Sequence, residues 1–295
     1  MHLSTHNWMR VEPLEATIQR VKPLGFESIE ISGGPDQFPS AESRATLKEH
    51  GFRCWGAVTL TMGERNLAAK APAQRAATVD YMKSVVTMVE ELEGHELSVV
   101  PATVGKVTPD GTPEEEWRWV VDGLQEVYDL AVKSGVRLAL EPLNRFETYF
   151  LNRADQAMAL AEAVGPECGV CLDVFHMCIE ERDMFAAVET AAPRLVDVHV
   201  AENNRLAPGM GSVDWPRLVR TLKNVGYDGA LTMEAMAPID RTPVSPWPNQ
   251  VDENPTGITP EQIKFIQDHG STLLSEEFYT MLFQETSNTL LPLIR

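Results

Sequence analysis

The apolar residues of this chain fall into short runs separated by longer stretches in which they recur every three or four positions. Runs over 2–8, 28–32, 53–60, 96–102, 136–142, 169–176, 194–201 and 229–235 read as strands. Between them, Pro13 to Leu24, Ala73 to Leu92, Glu114 to Lys133 and Trp215 to Val225 carry apolar residues at helical offsets. A glycine stands where a helix should stop, just ahead of a strand, in Leu24-Gly25-Phe26, His50-Gly51-Phe52, Ser134-Gly135-Val136 and Val225-Gly226-Tyr227. Eight strands, each returned by a helix to start another parallel strand, predict an α/β chain folded as a (β/α)8 TIM barrel.

One segment breaks the alternation. Ala237 to Thr259 holds five prolines and little periodicity, which predicts a long loop after the eighth strand, near the barrel mouth, with Pro243, Pro246 and Trp247 as a wall for a substrate. Pro260 to Arg295 follows as a C-terminal helical tail, led in by Gly270 to Leu274. Within it Phe278, Leu282, Phe283, Leu290 and Leu293 form an apolar set too large to leave in water. Either this set is the eighth barrel helix packed on its own sheet, or a second chain covers it. The whole chain, residues 1–295, is expected to be a single domain.

Composition narrows the function. A chain of 295 residues that is 43% hydrophobic can bury a large core, so disorder is excluded. A formal charge of −18 repels phosphate backbones and anionic membrane surfaces, which leaves a small neutral or cationic molecule as the expected partner. No stretch has the length and apolarity of a membrane span, and MHLSTHNWMR lacks the basic start and apolar run of a signal peptide, so a cytoplasmic location is expected. Cys168 and Cys171 have a C-x-x-C spacing, but an offset of three within a strand puts their side chains on opposite faces. With no second pair to complete a tetrahedral site, they read as buried thiols. Gly33-Gly34-Pro35 reads as a turn, without a dinucleotide fingerprint.

The candidate chemistry lies at the ends of the later strands. These end in Glu141, Asp173, His199 and Glu234, separated by 32, 26 and 35 residues, about one βα unit each. In a barrel, residues at the carboxyl ends of strands project into one mouth, so three carboxylates and an imidazole should converge. An ionised carboxylate at the end of a buried strand is costly unless compensated, and close carboxylates raise one another's pKa unless a cation intervenes. Oxygen-rich ligation with one imidazole suits a divalent metal, Mn²⁺ foremost with Mg²⁺ and Co²⁺ as further candidates.

Three longer motifs carry a resemblance. Glu141-Pro142-Leu143-Asn144-Arg145-Phe146-Glu147, Leu172-Asp173-Val174-Phe175-His176-Met177 and His199-Val200-Ala201-Glu202-Asn203-Asn204-Arg205 resemble the D-tagatose 3-epimerase family of xylose-isomerase-like barrels, from the first strand through Glu234. The resemblance implies Glu141, Asp173, His199 and Glu234 as metal ligands, with Glu147, His176 and Arg205 positioning a sugar and His176 reaching it from a loop. It also implies Glu141 and Glu234 as the catalytic acid/base pair, one taking the C3 proton of a ketose and the other returning one to the opposite face of an enediolate.

The chain departs from that pattern at Met233-Glu234-Ala235-Met236, where the family carries Glu-Pro-Phe, in the longer proline-rich loop, and at Thr103-Val104-Gly105-Lys106-Val107 after the fourth strand. These positions bear on substrate choice. The alternative is a metal-dependent lyase acting on 3-keto-glycosides, similar to the catalytic subunit of C-glycoside deglycosidases, which works with a small partner subunit. Relatives also imply a homo-oligomer. An apurinic-site endonuclease would need a basic DNA track, which the net charge excludes.

Overall fold

A charged residue can end a buried strand only if the neighbouring strands hold it in register, and a closed parallel ladder does so on both sides. The computed structural model describes residues 1–251, 260, 264 and 274–295, and its eight parallel strands close into a barrel in sequence order. They are β1 His2–His6, β2 Phe26–Ser32, β3 Arg53–Val58, β4 Glu96–Val99, β5 Arg137–Leu140, β6 Gly169–Asp173, β7 Leu195–Val200 and β8 Ala230–Met233. Around them lie α1 Leu14–Val21, α2 Ser40–Glu49, α3 Pro72–Glu91, α4 Pro113–Ser134, α5 Ala154–Val164, α6 Val174–Glu180, α7 Met184–Ala191, α8 Trp215–Asn224 and α9 Glu276–Ile294. Gly25, Gly51, Gly135 and Gly226 all have the left-handed φ of a helix stop. Helix α4 shows a full set of end signals: a capping box between Thr112 and Glu115, Pro113 in the first turn, and Gly135 at φ 70°.

Period-two alternation divides each strand between two environments. Outward residues such as Leu3, Ile29, Ile31, Leu97, Leu138, Leu140, Leu172 and Val198 are buried beneath the helices in one continuous core. The inward set carries the acids: Glu30 on β2, Glu96 on β4, and Asp197 with His199 on β7 are all fully buried inside the barrel, beside a small apolar cluster of Ala139, Cys171 and Val196. Burial of so many acids has a local cost in backbone freedom, because a Cβ at Gly56 would collide with the Glu96 carboxylate and carbonyl.

One expectation changes and one open choice closes. The sixth strand ends at Asp173, and residues 174–176 belong to α6, so His176 projects from the first turn of a helix rather than from a loop. Asp173 drives this change: its Oδ1 accepts from the Phe175 and His176 amides and caps the helix. The helical tail is the barrel's own closing helix. Helix α9 packs against α1, α8 and β1, burying Phe278, Leu282, Phe283 and Leu290, with Leu293 half-buried. Phe283 meets Phe26 edge to face at 5.3 Å. Parts of the expected loop and tail, 252–259, 261–263 and 265–273, lie outside the described residues, including Gly270 to Leu273 of the lead-in.

Candidate active site

The backbone ladder brings the strand-end residues together. Asp173 pairs with His199 across β6 and β7, and His199 with Thr232 across β7 and β8. Glu141 and Glu234 lie one residue past their strands, where the Glu141 amide donates to Val99 O (3.0 Å) and the Glu234 amide to Val200 O (3.2 Å). The result is a buried cluster in which one ligand atom each of Glu141, Asp173, His199 and Glu234 lies within 4.8 Å of the others. His199 Nδ1 is 3.1 Å from Glu141 Oε1 and 3.1 Å from Glu234 Oε2.

The electrostatics of this cluster are those of a site built around a positive charge. Burial, and then Glu234, hold the Asp173 carboxyl well above its usual value, and burial raises Glu141. Glu234 behaves oppositely: burial would raise it, but His199, His6 and Arg205 pull it well below the usual range. Burial opposes charge on His199, yet the acidic groups around it, Cys171, Glu141, Glu30 and Glu234, raise its pKa well above the ordinary value. Asp173 Oδ2 and Glu234 Oε2 are buried with no hydrogen bond among the described residues, although a buried carboxylate oxygen should have a partner. Two such oxygens with an imidazole nitrogen and a third carboxylate fit a divalent cation.

Beside the cluster stands a hydrogen-bonded group that determines one tautomer. The Asn144 backbone amide donates to His176 Nδ1 (3.2 Å), so Nδ1 is the acceptor and Nε2 carries the hydrogen, facing Asp173 Oδ2 at 3.6 Å. Burial, then Arg205, push the His176 pKa well below its ordinary value, so the ring is neutral. Asn144 Nδ2 lies 2.9 Å from the same Nδ1 and donates to Glu147 Oε1 (2.8 Å), which also accepts from Arg205 Nη1 (2.8 Å). Arg205, at φ 61°, sits in a loop organised by Glu202, whose carboxylate accepts from Gly209 N, Val213 N and Trp215 Nε1. Its guanidinium covers the Phe175 ring at 4.6 Å.

All seven residues singled out in the sequence therefore meet, and Glu141, Glu234, Glu147, His176 and Arg205 line a cavity of about 280 Å³. Its outer wall is apolar, from Trp8, Leu60, Met62, Val104, Phe146 and Met236. Pro243, Pro246 and Trp247, expected as part of that wall, are not among its lining residues. Trp247 instead packs edge to face on Phe278 of α9 at 5.5 Å, where its ring is half-buried against the helix. The strand-end rule missed Asn144, His6, Glu30, Asp197 and Glu202. Asp197 could have been found from Asp-x-His on one strand face, and Glu202 has its partners within the loop that follows it; Asn144, His6 and Glu30 depend on residues distant in sequence.

Residues 18–269 match the family described as Xylose isomerase-like TIM barrel. The chain belongs to this family. Among its relatives, the D-psicose 3-epimerase of Ruminiclostridium cellulolyticum is 31% identical over 227 residues, covering 74% of this chain and 76% of its own length. The 3-dehydro-D-guloside 4-epimerase of Escherichia coli is 28% identical over 224 residues, covering 72% and 84%. The solved D-psicose 3-epimerase with D-tagatose from Clostridium cellulolyticum H10 superposes with a TM-score of 0.79 at 25% identity, covering 99% of this chain and 98% of that one. Within this xylose isomerase-like barrel, two of the departures seen in the sequence, at Val104 and Met236, lie in the apolar outer wall of the cavity.

Proposed function

We propose that this chain is a divalent-cation-dependent ketose 3-epimerase. The observation that carries the reading is the pair of carboxylates, Glu141 and Glu234, that reach His199 Nδ1 from strands on either side, each at 3.1 Å, at the floor of a cavity of sugar size. Glu141, Asp173, His199 and Glu234 would hold the cation. When bound, Mn²⁺ foremost, or Mg²⁺ or Co²⁺, would supply Lewis-acid charge to substrate oxygens beside the reacting carbon. One glutamate carboxylate takes the C3 proton, the electron pair left behind delocalises into the neighbouring carbonyl as an enediolate, and the carboxyl of the other glutamate returns a proton to C3 from the opposite face. Neutral His176 donates from Nε2 to a substrate oxygen. Glu147 and Arg205, fixed by each other and by Asn144, position hydroxyls, and the apolar wall keeps bulk water from the carbanion.

This reading predicts that turnover in D₂O places solvent deuterium at C3 of the product, because the glutamate that delivers the proton is not the one that abstracted it and carries a hydrogen exchanged with solvent. A product without label at that carbon would exclude carboxylate-mediated proton transfer. Asp173→Asn and His199→Ala are expected to lose metal and activity together, measured by elemental analysis and a ketose assay. The apolar wall and the Escherichia coli relative support a second reading, action on a 3-keto-glycoside whose aglycone lies along Leu60, Met62 and Phe146. Assaying free ketoses and keto-glycosides side by side separates the two, and a lyase acting with a small partner subunit would work only when that partner is co-expressed. A cytoplasmic location is part of the same reading; no described helix is long and apolar enough to cross a membrane.

A further inference from the structure

The inward face of β7 carries a second group of acids beneath the cluster. His199 Nε2, on the ring edge away from the cavity, lies 3.2 Å from Glu30 Oε2 on β2 and 3.2 Å from Asp197 Oδ2 on β7. Each carboxylate is held by its other oxygen. Trp55 Nε1 on β3 donates to Asp197 Oδ1 (2.9 Å), and Thr232 Oγ1 on β8 donates to Glu30 Oε1. Glu30, Asp197, His199 and Thr232 are fully buried, so no water competes for these contacts. A lone pair on Nε2 would face two carboxylate oxygens and be repelled, whereas an N–H there is shared between them. On the other ring edge Nδ1 also faces two carboxylate oxygens, of Glu141 and Glu234 at 3.1 Å each, so it keeps a lone pair only with a cation lying among them, and the hydrogen then stays on Nε2.

We propose that Asp197 and Glu30 are positioning residues that hold His199 in its Nε2–H tautomer and aim Nδ1 at the cation. The inference rests on the reading of Glu141, Asp173, His199 and Glu234 as metal ligands. Removing a carboxylate that accepts from the far nitrogen of a ligating histidine lowers metal affinity by about 10–100-fold. Trp55 and Thr232 act one step further out, by keeping each carboxylate oxygen from turning away.

The test is Mn²⁺ binding to the chelator-stripped full chain, followed by loss of the free-ion electron paramagnetic resonance signal, for wild type, D197A, D197N and E30Q. Histidine-¹⁵N spectra of the Mg²⁺-loaded proteins report the His199 tautomer. The expected result is a Kd raised about 10–100-fold in D197A with mixed tautomers. D197N keeps one acceptor oxygen, which can face His199 Nε2 or Trp55 Nε1 but not both, so it is expected to recover part of that loss, with Nε2–H favoured over D197A. Should D197A fail to fold, E30Q and D197N carry the comparison, with E30Q expected to weaken binding several-fold and to loosen the tautomer. Wild-type affinity and tautomer in the folded variants would overturn the positioning role while leaving the metal site intact. D197N as weak as D197A with the tautomer unchanged would overturn it too, since lost charge alone would then explain both. Wild type that binds no Mn²⁺ would overturn the metal reading itself, and this inference with it.

Discussion

Asn144 shows how much one buried amide can organise. It is almost fully buried, its backbone fixes the His176 tautomer, and its side chain joins His176 to Glu147 and so to Arg205. Hydrogen bonds to charged groups are worth about 1.5–3 kcal/mol, so Asn144→Ala is expected to lower kcat/KM about 10–100-fold while the far-ultraviolet circular dichroism stays native. His6 makes a prediction in pH. Burial holds its pKa down to about 3, against an ordinary 6.5, and neither ring nitrogen has a hydrogen-bond partner among the described residues. Between those pH values the unfolded chain binds a proton that the folded chain does not, so the contribution of His6 to stability falls as pH falls, by up to about 1.4 kcal/mol per pH unit. Buried His176 and half-buried His2, its pKa lowered to about 4, act with the same sign, whereas the raised carboxyls of Asp173, Glu141 and Glu30 act with the opposite one. In urea titrations of the metal-free protein from pH 7 to 4, the stability of wild type relative to His6→Asn should therefore fall as pH falls.

At the scale of elements, the strands and helix stops were legible because their signals are local. Gly135 turns α4 into β5 at φ 70°, with no atom within 4 Å of where a Cβ would stand, so Gly135→Ala meets only backbone strain. A loss of about 1 kcal/mol is expected from the urea midpoint at unchanged slope. Helix α9 was legible as an apolar set but not in its placement. Phe283 is fully buried between Phe26 and Tyr279, and Phe283→Ala is expected to cost about 3–5 kcal/mol because the closed barrel cannot collapse into the space. The short helix α6 was read as strand and loop because its start is set by the Asp173 side chain rather than by periodicity.

For the whole molecule, bound metal and folding should be linked. A divalent cation at about 100 times its Kd stabilises by about 2.7 kcal/mol, so chelation is expected to lower Tm by about 5 °C, restored by Mn²⁺. Asp173→Asn should melt like the stripped wild type whether or not metal is added. With Phe278, Leu282, Phe283 and Leu290 covered by the chain's own barrel, α9 no longer argues for a partner. The homo-oligomer implied by the family resemblance is therefore a separate prediction, checked by light scattering against a monomer mass of 32.7 kDa.

The sequence alone determined the barrel and the four strand-end groups, because strand length, helix period and glycine stops repeat about once per βα unit and place one residue of each unit at the same mouth. Glu147, His176 and Arg205 came into view through the family resemblance, which is carried by motifs that are local in sequence. Only the tertiary structure decided what those groups face. Glu30 and His199 are 169 positions apart and touch because the barrel closes β1 on β8, and no pattern along the chain encodes which inward acid meets which inward histidine. The cavity wall without Trp247 and the helix that half-covers its ring were likewise decided by packing, since an apolar ring gains by covering the nearest dry surface that the closed fold offers.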